Sequence, residues 1–85
     1  MQLVNPKTYN LSSRTKLLQD SAGTLFIVID RKSRIIMKDG KRIIKLSENI
    51  KKVNQNKKIS LLTSAPVCSK TREFLLKSKI LIKNL

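Results

Sequence analysis

Thr-Leu-Phe-Ile-Val-Ile-Asp, at residues 24–30, is a run of β-branched and aromatic side chains without polar alternation. Such a run predicts a strand that is covered on both faces, because a strand with one face in water alternates apolar and polar side chains. We therefore expect this segment to be the central strand of a sheet. Its apolar part, Leu25–Ile29, is the longest apolar run in the chain, and it is far shorter than the roughly 20 residues of a membrane-spanning helix.

A β-hairpin is predicted directly after this strand, over about residues 34–46. Its two arms, 34–38 and 41–46, are rich in Ile, and Asp39-Gly40 between them accepts the positive φ angles of a type I′ turn. A two-residue turn fixes the pairing of the arms and gives the hairpin one apolar face and one basic face. The cations on the basic face are Arg34, Lys38, Lys41 and Lys45.

Helices and strands are predicted to alternate beyond the hairpin. Ser47 is a suitable N-cap for a helix that ends near Asn54. Residues 58–63 predict a strand that returns to the sheet, and residues 80–82 predict an edge strand. Between these strands, the inward-facing stripe of a second helix is Val67, Thr71, Phe74 and Leu75.

The first 22 residues are predicted to form an N-terminal arm outside the main fold. They contain Asn5-Pro6 and little periodicity, and a short helix from Ser12 or Ser13 to Gln19 is the one element expected in them. Residues 23–85 then form a single α+β domain, a small sheet that contains the hairpin and carries two covering helices. A chain of 85 residues has room for one hydrophobic core.

The balance of charge indicates an anionic partner. Nineteen Lys and Arg against five Asp and Glu give a formal net charge of +14, and residues 31–58 alone contain eleven cations and two anions. Abundant Lys, Asn and Ile are also typical of an AT-rich gene, but codon bias alone does not explain why acidic residues are so scarce. An anionic partner would relieve the repulsion, whereas the alternative is a solvated lysine face that only keeps the protein soluble.

We predict a module that binds RNA or DNA through the phosphate backbone. Base-specific contacts are not expected, since no aromatic pair lies on a predicted exposed strand and Phe26 and Phe74 are assigned to the core. The predicted phosphate contacts are Arg31, Lys32, Arg34, Lys38, Lys41, Lys45, Lys51 and Lys52. The alternative is a regulatory module that binds an acidic protein, with the edge strand at 80–82 as the pairing segment. The oligomeric state is left open.

Catalysis is not expected from this composition, and neither is a cofactor or a metal. The chain has no His, one Cys and five carboxylates, which are few groups for acid–base chemistry or a metal site of usual composition. The element order of helix, three strands, helix and strand loosely resembles the core of the PD-(D/E)xK nucleases. That resemblance implies metal-dependent cleavage by Asp30 together with Asp39-Gly40-Lys41, although in that family the Asp-x-Lys element lies in a strand rather than in a turn.

Cys68 has two interpretations. Its place just before the second helix would stabilise a thiolate through the helix dipole and through Lys70 and Arg72. The alternative, which we favour from the sequence, is a small buried cysteine of the core. A single cysteine forms no internal disulfide and no apolar leader is visible, so a cytoplasmic location is expected.

Overall fold

The computed structural model describes all 85 residues, which form a five-stranded mixed sheet with two α-helices and one short 3₁₀ helix. The strands are β1 (Gln2–Val4), β2 (Lys16–Gln19), β3 (Leu25–Ile29), β4 (Ile59–Thr63) and β5 (Leu81–Asn84). The helices are the 3₁₀ helix Pro6–Tyr9, α1 (Met37–Val53) and α2 (Ser69–Lys77). The strand order is β1-β2-β3-β4-β5, with β1, β2 and β3 antiparallel and β3, β4 and β5 parallel. The predicted class, a small single-domain α+β fold, is confirmed.

The central position predicted for the apolar run at residues 24–30 is also confirmed, since β3 is the middle strand. The expected cover on both faces is found as well, since Leu25, Phe26, Ile27 and Val28 are all buried, but the helices cover only one of the two faces. α1 connects β3 to the parallel strand β4, and α2 connects β4 to the parallel strand β5. Both connections are right-handed crossovers that proceed in the same direction across the sheet, so the two helices lie on the same side of it. Leu25 and Ile27 face these helices, whereas Phe26 and Val28 belong to a separate small cluster that is buried by side chains of the neighbouring strands and by no helix.

The main core lies between the sheet and the two helices. Its fully buried members come from β2, β3, β4, both helices and the segment before α1: they are Leu17, Leu25, Ile27, Ile35, Ile43, Ile50, Leu61 and Leu75. Tyr9 and Leu11 close the same core from the N-terminal segment. Almost all of this core is aliphatic, as expected from a chain with three aromatic residues.

The predicted hairpin at about 34–46 is wrong, because α1 runs without interruption from Met37 to Val53. Gly40, Ile43, Ser47 and Ile50 are buried at spacings of three and four residues, which is the period of a helix face. Gly40 serves close packing rather than a turn: a Cβ placed on it would lie 2.9 Å from Thr71 Cγ2 of α2. Ser47 is a mid-helix residue whose hydroxyl donates to the Ile44 carbonyl, not an N-cap, but the predicted end of the helix at Asn54 is confirmed.

The N-terminal segment is part of the sheet. The predicted short helix up to Gln19 is wrong, because Lys16–Gln19 forms β2 and pairs with β1 on one side and with β3 on the other. Leu17 points into the core and Leu18 to the opposite face. A run of four residues is too short to show this alternation by itself, so the pairing partners decide the conformation.

The C-terminal half agrees with the sequence. The strand predicted at 58–63 is β4, the second helix is α2, and the segment at 80–82 leads into β5 at one edge of the sheet. Thr71 and Leu75 of α2 are fully buried, as predicted, whereas Phe74 is half-buried beside Gly40. Neither helix combines the length and the apolar character that a bilayer-spanning segment needs.

Candidate functional site

Four of the predicted phosphate contacts share a face, but on a helix rather than on a hairpin. Lys38, Lys41 and Lys45 are exposed and lie three and four residues apart on α1, and Lys52 follows seven residues later. This spacing keeps all four on the side opposite the buried stripe of the helix. We call Lys38, Lys41, Lys45 and Lys52 the α1 lysine row. At about 1.5 Å of rise per residue the row extends over roughly 21 Å.

The other predicted contacts before α1 have different surroundings. Arg31 donates to Asp39 Oδ2 at 2.6 Å and to the carbonyl oxygens of Ser33 and Arg34 at 3.2 and 3.1 Å. Its guanidinium therefore holds the β3–α1 loop and is not free for a phosphate. Lys32 and Arg34 are exposed in the same loop. These three residues lie in the loop before α1 and are not part of the α1 lysine row.

Lys51 lies on another side of α1 and lines an open cavity of about 480 Å³. Four further lysines line it: Lys57, Lys58, Lys79 and Lys83. We call this the lysine cavity. It lies where β4 and β5 begin, at Ile59 and Leu81. Three segments that are distant in the sequence meet there, namely the residue before β3, the end of α1 with the following loop and the start of β4, and the turn after α2 with β5.

The lysine cavity contains no carboxylate. Its other lining residues are Thr24, Ile59, Ser60, Ile80 and Leu81. Lys57 Nζ donates to the neutral Gln19 Oε1 at 2.7 Å, and the one salt bridge of the whole protein, between Arg31 and Asp39, is in the β3–α1 loop. The ammonium group of Lys83 lies 5.7 Å from the centre of the Phe26 ring. Five lysines that line one concave surface without a carboxylate repel each other, and an anion bound there would reduce this repulsion.

The backbone at Lys79 is strained. Lys79 has a φ of 64°, in the left-handed region that Gly or Asn usually occupies at the end of a helix. Its N–H donates to the Leu76 carbonyl and the Ile80 N–H donates to the Leu75 carbonyl, which is the Schellman arrangement. Lysine is less favourable than Gly at this position, and the turn that it forms places Lys79 in the lining of the lysine cavity.

Sequence reasoning missed Lys57, Lys58, Lys79 and Lys83 as site residues. A signal was present in the sequence, since Lys57 and Lys58 stand at the start of one segment predicted as a strand and Lys79 directly precedes another. The starting ends of parallel strands meet at one edge of a sheet, so cations before each strand come together there. That step requires knowing that β4 and β5 are parallel neighbours, which the sequence does not state.

The Asp-x-Lys element of the nuclease-like alternative, Asp39-Gly40-Lys41, lies in a helix and not in a strand. Asp39 lies in the first turn of α1, where it is paired with Arg31 and accepts from the Ile36 N–H at 2.9 Å. Asp30 accepts a hydrogen bond from the Ser64 hydroxyl at 2.6 Å. No three His, Cys, Asp or Glu side chains lie close enough together to hold a metal ion.

Two basic features therefore stand out from the rest of the surface, the lysine cavity and the α1 lysine row. They approach each other at Lys51 and Lys52, which are consecutive residues of α1. Comparison of the chain with protein-family models, with curated proteins and with solved structures gives no match.

Proposed function

We propose that the protein is a non-enzymatic module that binds RNA or DNA through phosphate groups, with the lysine cavity as its main contact site. The observation that carries this proposal is the lining of that cavity, which has five lysines and no carboxylate. Each lysine that neutralises a phosphate releases condensed counterions, which favours binding. The α1 lysine row is the second contact, because it extends the positive surface along the helix.

Contact with the phosphate backbone of a nucleic acid fits the site better than recognition of its bases. The cavity lining contains no aromatic residue on which a base could stack. Of the three aromatic side chains, Tyr9 and Phe26 are buried and Phe74 is half-buried against the core. Lysine acts as a flexible point charge, whereas arginine forms the planar paired contacts that read guanine. We therefore expect affinity with little sequence preference.

A linear polyanion suits this surface better than an acidic protein patch. The row covers roughly 21 Å of helix by its rise per residue, and the cavity continues from its end. Charges that are spread over such a distance match a polymer with regularly spaced phosphates. An acidic protein partner is the competing outcome in the experiment below.

The proposal is tested by measuring affinity for single-stranded RNA, duplex DNA and an acidic protein over a range of salt concentrations. The cavity variant changes Lys51, Lys58, Lys79 and Lys83 to Gln and leaves Lys57 in place, because Lys57 bonds Gln19. We expect the slope of log affinity against log salt to flatten by about 3 to 4 for duplex DNA. The corresponding row variant changes Lys38, Lys41, Lys45 and Lys52 to Gln and should flatten it by less.

The matched control removes four exposed cations elsewhere, by changing Lys7, Arg14, Lys70 and Lys77 to Gln. This control has the same net charge as the cavity variant but leaves both basic features intact. If all three variants lose affinity equally, only net charge matters and the proposed site is wrong. If the wild-type protein prefers the acidic protein at every salt concentration, the alternative partner replaces the nucleic acid.

A further inference from the structure

Cys68 lies at the end of the parallel strands opposite the lysine cavity, where the loops after β3 and β4 are joined. The Ile35 N–H donates to the Pro66 carbonyl at 2.8 Å, and the Cys68 N–H donates to the Ile35 carbonyl at 2.9 Å. These two bonds form a short parallel bridge between Ile35 and Val67. The bridge fixes Arg34, the residue before Ile35, close to Cys68. Arg34 is the charged side chain whose field acts on the thiol.

The thiol of Cys68 is placed at the start of α2. It is half-buried and free, rather than part of the core that the sequence favoured. The N–H groups of Thr71 and Lys70 at the helix terminus lower the pKa of Cys68, and the Thr71 hydroxyl and Arg34 act in the same direction, while desolvation opposes them. The contacts are electrostatic, since no hydrogen bond of regular geometry joins the side chain to the helix terminus.

Thr71, the third residue of α2, is the second unusual feature of this helix terminus. It is fully buried, and its hydroxyl is the one buried side-chain polar atom in the protein without a hydrogen-bond partner. Its methyl group faces Gly40 of α1, and its hydroxyl acts on the thiol of Cys68. A buried hydroxyl without a partner opposes folding, but here it is available to donate to a thiolate.

We propose that Cys68 is a thiol–disulfide exchange site for small disulfides that carry negative charge. The thiolate sulfur attacks one sulfur of the disulfide, a new bond joins Cys68 Sγ to that sulfur as the disulfide bond breaks, and the other half leaves into solution as a thiolate. No other oxidant or reductant is needed, because the disulfide supplies the oxidising equivalents. Arg34, together with the exposed Lys70, attracts the anionic substituent of the incoming disulfide.

The test follows the release of the leaving thiolate from dithiobis(2-nitrobenzoate), an anionic disulfide, and from cystamine, a cationic one. Free cysteine at the same pH is the reference for each reagent, and the Cys68→Ser protein should release nothing. We expect Cys68 to react with the anionic disulfide at least about tenfold faster than free cysteine. With cystamine the advantage should be much smaller. A rate equal to that of free cysteine with both reagents would overturn the proposal.

The net positive charge of the protein by itself favours anionic reagents. The variants must therefore distinguish the effect of a cation close to Cys68 from the effect of net charge. Arg34→Gln should slow the anionic reaction about threefold to tenfold, as expected for the loss of one nearby charge. Lys77→Gln removes the same charge from the far end of α2 and should change the rate little. Equal effects of the two substitutions would show that Arg34 has no special position, and the anionic specificity would be wrong.

Thr71→Val retains the shape of the buried side chain and removes only the hydroxyl. We expect the rate to fall about threefold, because the thiolate loses a donor. Thermal stability should be unchanged or higher, since an unpaired buried hydroxyl disappears. If the folded Thr71→Val protein reacts with the anionic disulfide as fast as the wild type, the Thr71 hydroxyl does not assist the thiolate and the proposal is wrong on this point. The assay contains no nucleic acid, so its outcome is separate from that of the phosphate-binding experiment.

Discussion

Lys79 combines an unusual backbone conformation with a charge in the lysine cavity. It takes a left-handed conformation at the end of α2 and contributes its ammonium group to the lysine cavity. Gly is the usual residue where a helix ends in this left-handed conformation, because a Cβ is disfavoured in that region. A residue that lowers stability and adds charge to a cavity is typical of a functional position.

We predict that Lys79→Gly stabilises the fold and weakens phosphate binding at the same time. Relief of the backbone strain, less the added freedom of Gly in the unfolded chain, should raise the free energy of unfolding by about 0.5–1 kcal/mol. The slope of log affinity against log salt should flatten by about 0.9. Urea denaturation and salt-dependent binding provide the two measurements.

Lys77→Gly is the matched control for this prediction. It removes the same charge from the last turn of α2, where the backbone is helical. Glycine within a helix should lower stability by about 1 kcal/mol. If Lys79→Gly is as destabilising as Lys77→Gly, the backbone at Lys79 is not strained.

At the scale of elements, α1 shows how a local pattern misleads. Asp39-Gly40 has the composition of a type I′ turn, but both residues have specific roles in a helix. Asp39 lies in the first turn, where its carboxylate accepts from the Ile36 N–H and pairs with Arg31. Gly40 leaves room for Thr71 of α2. The helix prevails because it buries Ile43 and Ile50 against the sheet, whereas a separate hairpin would not bury both.

The pairing of Asp39 makes α1 sensitive to acid. The hydrogen bond from Arg31, followed by that from the Ile36 N–H, lowers the pKa of Asp39 below its ordinary value of 3.8. A carboxyl with a lowered pKa in the folded state stabilises the fold above its unfolded pKa and loses this contribution as the pH falls through its folded pKa. The wild-type protein should therefore lose this part of its stability below about pH 4.

We predict that Asp39→Asn lowers the free energy of unfolding at neutral pH by about 1–2 kcal/mol, because a charge-assisted hydrogen bond is lost. The variant should also lose less stability than the wild type when the pH falls below about 4. Urea denaturation at several pH values measures both effects. Glu48→Gln, at an exposed position of the same helix, is the control and should change stability much less at neutral pH. An identical acid response in wild type and Asp39→Asn would contradict the role of the Arg31 pair.

At the scale of the whole molecule, repulsion between like charges dominates the electrostatics. The net charge is +14 and only one salt bridge offsets it. We predict that thermal stability rises with salt, by on the order of 5 °C between very low ionic strength and about 0.15 M, since screening of about 1 kcal/mol of repulsion has this effect in a small domain. Scanning calorimetry at increasing sodium chloride concentrations measures it. The row variant should respond less, and a Tm that falls with salt would mean that attractive pairs prevail.

The sequence by itself determined the fold class, the central strand β3, the later elements β4, α2 and β5, and the large positive charge. These features depend on apolar runs and helical stripes, such as that of Thr71 and Leu75, which are visible within a few residues of one another. It also identified Lys38, Lys41 and Lys45 as neighbours, although for the wrong reason. Residues at spacings of three and four share a helix face, and the predicted hairpin placed the same residues together by register.

Only the tertiary structure decided between helix and hairpin at Asp39-Gly40, between strand and helix at Lys16–Gln19, and where the lysine cavity lies. In the first two cases the local propensities are weak, and burial against β3 and the sheet selects the conformation. In the third case, Lys51 and Lys83 are 32 residues apart in the sequence and line the same cavity because β4 and β5 are parallel neighbours. The same is true of Arg34 and Cys68, which are brought together by the Ile35–Val67 bridge. Contacts of this kind arise from the packing of distant segments, and no local pattern in the chain encodes them.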